Sequence, residues 1–313
     1  MCCVLTHRPF AARESITMYQ LGRLFVRHHS TASAASRVPL AYTLHKPRGS
    51  TYYAGRPPIV FMHGLFGSRK NNRSMSKVLA ADLGAPVYAV DLRNHGDSFH
   101  HPKHDYTELA LDVEYFIHQH SLRDPILIGH SMGAKTALTL ALRSPSLVSS
   151  VIAIDNGPIR LPLTDDFPRY IRGMRHIQSQ ATPVSSLSEA DALLSQFEPD
   201  PAIRLFLLTN LTRKSGKDRL HFRVPLDILS SSLDALGDFP YTDPRRNRFE
   251  KPVLIVRATR SHYLPDHSKE LMQKFFPNLK MVDFDCGHWV ITEKPHEFRQ
   301  SRFLVFSMVP PRA

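Results

Sequence analysis

The sequence predicts an α/β protein: a mostly parallel sheet with helices on both faces and a helical cap inserted late in the chain. Three observations carry this. Short apolar runs alternate with helix-compatible stretches from residue 59 to 157, and strand signals return at 253. One run, Ile126-Leu127-Ile128, leads into Gly129-His130-Ser131-Met132-Gly133, a G-x-S-x-G turn with helix-compatible residues Ala134–Leu142 behind it. Between Pro158 and Glu250 the alternation stops and only helix signals follow.

The elements follow in order. Ile59-Val60-Phe61-Met62 reads as a short buried strand ending at His63-Gly64. After a helix around Ser76–Leu83, Val87–Asp91 is the next strand, and a helix covers Tyr106–Gln119. The strand Ile126–Ile128, the serine turn and its helix come next. Val151–Ile154 is another strand, ending at Asp155, and Val253–Val256 and Met281–Phe284 are two more. Apolar strands that alternate with helices imply a parallel sheet covered on both faces. In the insertion, helices are expected at Ala190–Phe197, Ile203–Leu211 and Leu226–Leu236.

A strand that turns sharply into a helix holds its turn residue in a strained conformation and lifts the side chain above the sheet. The flanking glycines leave room for the crossing, and the helix N-terminus favours negative charge. Ser131 is therefore the expected nucleophile.

The 313 residues suit one large domain or two small ones, and 42% apolar residues can bury a substantial core. No apolar run approaches the roughly 18 residues of a membrane span. Cys2, Cys3 and Cys286 cannot build a disulfide framework. No Cys/His spacing resembles a zinc site, so no metal and no resident cofactor is expected. The formal charge of +12 could attract acidic ligands, including phosphate-bearing ones. It forms no basic stripe with interleaved aromatics, so nucleic acid is not an expected partner. Oligomeric state is not legible.

Residues 1–37 read as a targeting segment. They hold Arg8, Arg13, Arg23, Arg27 and Arg37 against Glu14 alone. Met18, Leu21 and Phe25 share one helical face, with Arg23 and Arg27 opposite. A basic amphipathic helix followed by a Ser/Ala-rich stretch resembles a mitochondrial presequence, and the matrix is the expected compartment. The expected segments are thus 1–37 presequence, 38–157 first part of the core, 158–250 cap, 251–306 second part of the core and 307–313 a divergent tail.

The chain resembles the alpha/beta-hydrolase fold. Three segments narrow the resemblance: His63-Gly64-Leu65-Phe66-Gly67-Ser68, Asp91-Leu92-Arg93-Asn94-His95-Gly96-Asp97-Ser98, and Gly129–Thr136. With Phe206–Leu211 and Phe222–Leu226 they resemble one branch. That branch holds mitochondrial alpha/beta-hydrolase domain-containing protein 11, bacterial short-chain acyl esterases and fungal ethanol acetyltransferases. The resemblance covers about residues 38–300. It departs at the end, where a helix beginning at Ser301–Phe306 is stopped by Met308-Val309-Pro310-Pro311.

The resemblance implies the rest of a site. A serine hydroxyl needs a general base. The fold delivers its histidine after the last strand, at His288 in Asp285-Cys286-Gly287-His288-Trp289; packing of Trp289 is the other reading of that turn. The acid sits after Val151–Ile154 in this branch, which assigns Asp155. Asp266, in the loop after Val253–Val256, is the alternative. Two backbone N–H groups, of Leu65 and Met132, would face the oxyanion. Leu65, Phe66 and His63 are expected near the acyl group. His95 and His130, like His63, also suit loop-shaping hydrogen bonds. The activity the resemblance implies is hydrolysis, through an acyl-enzyme, of a small carboxylic ester or thioester with a short or medium acyl group. The runner-up activity is acetyl transfer from acetyl-CoA to an alcohol, and a non-catalytic binding module in mitochondrial assemblies is the third reading.

Overall fold

The computed structural model describes residues 37–47, 56–213 and 219–301. Apart from Arg37, the expected presequence lies outside the described residues. So do the expected tail 307–313 and residues 302–306 of the expected last helix.

Seven strands form one sheet. They are β1 (Tyr42–His45), β2 (Ile59–Met62), β3 (Val87–Val90), β4 (Ile126–His130), β5 (Ser150–Ile154), β8 (Val253–Ala258) and β9 (Leu279–Phe284). Their order is β1-β3-β2-β4-β5-β8-β9. All pairings are parallel except that of β1 with β3. β1 is absent from the sequence-based expectation for a physical reason. It is an edge strand with Thr43 exposed and Leu44 and His45 only half buried, so it carries no apolar run.

Strand alternation divides the core in two. Ile59, Phe61, Ile126, Ile128, Ile152, Ile154, Leu254 and Val256 pack on one face, with Met75, Leu79, Ala80 and Leu83 of α1 (Arg73–Leu83) and with Phe298 of α11 (Pro295–Ser301). Val60, Met62, Leu127, Val151, Ala153, Val253 and Ile255 pack on the other. That face is covered by α2 (Tyr106–Gln119), α3 (Met132–Arg143) and α9 (Ser268–Phe275). Each of the Val, Leu, Ile, Met and Phe side chains among these contributes about 1.5–3 kcal/mol on full burial. Burial on both sides is why the central strands read as unbroken apolar runs.

From β2 the chain passes to β3 on one side and then to β4 on the other. The crevice outside the carboxyl ends of β2 and β4 is therefore a topological switch point, where open α/β sheets bind ligands. The register aligns those ends: Met62 pairs with Gly129, and Gly129 with Ala153.

Between β5 and β8 the chain builds the cap from α4 (Asp166–Gln178), α5 (Leu187–Leu194), α6 (Pro201–Leu208), α7 (Leu226–Ser231) and α8 (Leu233–Gly237). An antiparallel pair, β6 (Leu211–Arg213) and β7 (Leu220–Phe222), joins them. The helix expected over 226–236 is broken at Ser232. The hydroxyls of Ser231 and Ser232 both donate to the Ile228 carbonyl, at 3.0 and 2.7 Å, and compete with the helical ladder. Helix α4 has no counterpart in the sequence reading. Pro168 and Gly173 weaken its propensity, but Ile171, Met174 and Ile177 make a buried face that outweighs it. The short α10 (Val290–Glu293) leads into α11. Among the described residues no helix is long and apolar enough to cross a membrane, and no group of metal-binding side chains occurs.

Candidate active site

Ser131 stands between β4 and α3 with φ 54° and ψ −114°. That left-handed φ is unfavourable for a residue with a Cβ and is imposed by the abrupt strand-to-helix turn. The turn exists only because two side chains are missing. A Cβ on Gly129 would overlap the Gly133 backbone, and one on Gly133 would lie 2.7 Å from the carbonyl oxygens of Met62 and His63. The backbone bond from Ser131 N–H to the Ile154 carbonyl, 2.9 Å, anchors the turn to β5. The Ser131 side chain makes no capping bond to α3, so its oxygen is not consumed by the helix behind it.

Asp155 follows β5 and is fully buried, also with a left-handed φ of 49°. One carboxylate oxygen accepts the N–H of Ala258, at the end of β8, at 3.1 Å. The other accepts from His288 Nδ1 at 2.7 Å. His288 comes from the loop after β9, so three parallel strands converge on one carboxylate. Asp266 lies elsewhere: it is exposed and ion-paired with Arg257.

The rings around His288 were not anticipated as a group. Tyr263 stacks on it with centroids 4.3 Å apart, and His130 lies on it at 4.7 Å. His130 Nε2 also donates to the His288 carbonyl at 2.8 Å, fixing the loop that carries the imidazole. Burial, then the adjacent His288 imidazole, pushes His130 down to about 4, so it is neutral at pH 7. Tyr263 lies in the loop after β8, and nothing in its local pattern marks a ring contact.

Both His63 and His95 are buried and neutral. Burial lowers them to about 4 and about 3, against the favourable bonds they make to backbone carbonyls. His63 Nδ1 donates to the Gly64 carbonyl at 2.8 Å, and its Nε2 accepts the Leu92 N–H at 3.0 Å. His95 Nδ1 donates to the Arg93 carbonyl at 2.9 Å, and its Nε2 accepts the Phe66 N–H at 3.1 Å. Both rings thus shape the loop after β2, and the nitrogens of His63 are spent on backbone rather than offered to an acyl group.

Gly64 runs against the serine: a Cβ there would stand 3.2 Å from Ser131 Cβ. No acceptor among the described residues takes the backbone N–H of Leu65 or of Met132. Phe66 is buried and packs at 6.3 Å from Phe167 of α4, while Phe206 of α6 packs at 4.5 Å from Trp289. The cap thus brings one apolar ring onto the loop after β2 and another onto the loop that carries His288. A cleft of about 780 Å³, lined by Thr242, Asp243, Arg245, Arg248 and Lys274, precedes β8 and β9. It therefore lies at the amino ends of the strands, away from these residues.

Known proteins place the chain. The model of the alpha/beta hydrolase fold family matches residues 57–180 and 209–295. An abhydrolase domain-containing protein of Schizosaccharomyces pombe is 39% identical over 253 residues, covering 80% of this chain and 93% of its own. A probable alcohol acetyltransferase of Saccharomyces cerevisiae is 39% identical over 260 residues, covering 79% and 76%. The sn-1-specific diacylglycerol lipase ABHD11 of Xenopus laevis is 35% identical over 285 residues, covering 88% of each. Among solved structures, a marine microorganism esterase superposes with a TM-score of 0.76 at 26% identity, covering 86% of this chain and 99% of that one. With its switch-point crevice, its serine turn and its parallel sheet, the chain belongs to the alpha/beta-hydrolase family.

Proposed function

We propose that the chain is a serine-nucleophile hydrolase of carboxylic esters or thioesters with short or medium acyl groups. The observation that carries this is the buried Asp155 carboxylate, 2.7 Å from His288 Nδ1, on the strand next to the one that presents Ser131. Nδ1 must keep its proton to donate to that carboxylate. Nε2 is then left with a lone pair, the form a general base requires.

Ser131 Oγ attacks the carbonyl carbon while His288 Nε2 takes its proton. The negative oxygen of the tetrahedral intermediate falls to the N–H groups of Leu65 and Met132. His288 returns the proton to the leaving alcohol or thiol as the carbon–oxygen or carbon–sulfur bond breaks. Asp155 stabilises the imidazolium in between, and Tyr263 offers its ring face to the same cation. Water, deprotonated by His288, then attacks the acyl-enzyme and regenerates Ser131. Phe66, Phe167 and the Phe206–Trp289 pair supply the apolar surroundings of the acyl group. No resident cofactor enters these steps.

An alcohol in place of water gives an ester by the same steps. The relatives named as acetyltransferases favour acetyl-CoA-dependent transfer to an alcohol as the second reading. Product analysis with a short ester and with acetyl-CoA, each with and without ethanol, separates the two. Free acid that is insensitive to ethanol supports hydrolysis, and ethyl ester supports transfer. Failure of a fluorophosphonate to label Ser131, with no turnover of either donor, would leave only a non-catalytic binding role.

A further inference from the structure

The segment Asp91–Ser98 and the cap residue Asn210 have no part in the steps above, yet both converge on the loop after β2. That loop is pinned one peptide plane at a time. The Gly64 carbonyl accepts from His63 Nδ1 at 2.8 Å and from the Gly67 N–H at 2.9 Å. A trans peptide is planar, with its C=O and N–H pointing opposite ways, so these bonds set the direction of the Leu65 N–H. The next plane is fixed by the Phe66 N–H on His95 Nε2 at 3.1 Å. The one after is fixed by Asn210 Nδ2, which donates to the Phe66 carbonyl at 2.8 Å. Between these pins Phe66 holds φ 61°, a left-handed conformation that a residue with a Cβ leaves when nothing holds it.

Asn210 is itself fixed. It is buried, its amide also donates to the Leu207 carbonyl at 3.2 Å, and its own carbonyl accepts the Arg223 N–H at 2.9 Å. The Arg223 side chain pairs with Asp97, and Asp97 pairs with Arg69 just beyond the pinned loop. The Arg69 N–H ends on the buried carboxylate of Asp91 at 2.6 Å. The cap therefore meets the loop through an amide donor and an ion-paired chain.

We propose that Asn210 is a positioning residue for the oxyanion donor: by holding the Phe66 carbonyl from the cap, it keeps the Leu65 N–H aimed at the carbonyl attacked by Ser131. His63 and His95 hold the same loop from the core side. Proper seating of the cap and assembly of the oxyanion site are then one event. This rests on the hydrolase reading above.

The test uses the full chain and a short p-nitrophenyl ester. Removing an oxyanion donor outright lowers kcat by about 10²–10³. Misaiming one is milder, so Asn210→Ala is expected to lower kcat by about ten- to a hundredfold, with KM within about threefold, on that scale. Affinity for a trifluoromethyl ketone analogue of the intermediate should fall by the same factor as kcat/KM. Tyr106→Phe is the control. It removes another buried core-to-cap bond, Tyr106 hydroxyl to Leu236 carbonyl at 3.0 Å, and should lower Tm with kcat unchanged. Asn210→Asp keeps the shape and, ionised, has no N–H to give; it must show the same loss if Asn210→Ala does not fold. The proposal is overturned if kcat of the folded variant stays near wild type, if KM alone rises, or if Tyr106→Phe loses as much kcat. A wild-type chain that neither labels with fluorophosphonate nor turns over ester removes the hydrolase reading and this one together. An active wild type with an unaffected Asn210→Ala removes only this one.

Discussion

Exchange of one oxygen for an NH₂ at Asp155 tests the proposed mechanism most sharply. Asn tolerates a left-handed φ better than most residues, so Asp155→Asn can keep the 49° backbone. The geometry also dictates how the new amide sits. The Ala258 N–H, 3.1 Å away, is a donor and requires the amide oxygen. The NH₂ must then face His288 Nδ1 at the 2.7 Å position. Two donors cannot face each other there, so Nδ1 becomes the acceptor and the ring proton moves to Nε2. The nitrogen that should take the serine proton is then already protonated. The equivalent exchange in a serine protease costs about 10⁴ in kcat, or about 5 kcal/mol at 1.36 kcal/mol per factor of ten. Because the Ala258 bond survives, Tm should fall little. Because the carboxylate lies behind the imidazole, KM should move little. Asp266→Asn should resemble wild type: Asp266 is 92% exposed and its partner Arg257 keeps Asp283 at 2.6 Å, and such surface pairs are worth at most about 1 kcal/mol. Steady-state ester hydrolysis and thermal unfolding on both variants decide the matter. The reasoning is refuted if Asp155→Asn retains more than about a tenth of the wild-type rate, far above the 10⁴ loss, or if Asp266→Asn is the inactive protein.

Acid should begin to destabilise the protein below about pH 6.5, above the ordinary carboxylate range. His63, His95 and His130 are buried and lowered to about 4, about 3 and about 4, so the unfolded chain binds protons below pH 6.5 that the folded chain refuses. Their stabilisation is complete above 6.5 and is lost as pH falls toward 4, by about 3 kcal/mol for His63 alone at 1.36 kcal/mol per unit. A Tm that is flat from pH 7 to 4.5 contradicts this. Ser131→Ala should fold and lose several powers of ten in turnover; more than about a tenth of wild-type activity in the purified variant, set against losses of that size, counts against the nucleophile. Residues 1–40 fused to a fluorescent protein should enter mitochondria with cleavage near Ser30–Arg37, and a diffuse cytosolic signal speaks against the presequence.

The sheet was legible because burial on both faces writes itself as apolar runs, and the elbow because sterics allow only glycine at 129 and 133. The place of Asp155 rested on resemblance, since an aspartate ahead of Asn-Gly-Pro reads equally as a turn former. Much of the rest depends on contacts between distant segments. The bond from His130 to His288 spans 158 residues and that from Asn210 to Phe66 spans 144, and no local pattern encodes either. Edge strand β1 and helix α4 escaped for the opposite reason. Their local signals are weak, and their neighbours hold them in place.

The placing of His288 also orders assembly in time. Ser131 and Asp155 follow β4 and β5, whereas His288 follows β9, an edge strand that among the described residues pairs only with β8. Asp155 and His288 are 133 residues apart. Until β9 docks, the carboxylate has the Ala258 N–H but no imidazole, and on the proposed mechanism no base can reach the serine. A growing or half-folded chain is therefore chemically silent, and the onset of ester turnover during refolding would clock the arrival of the last strand.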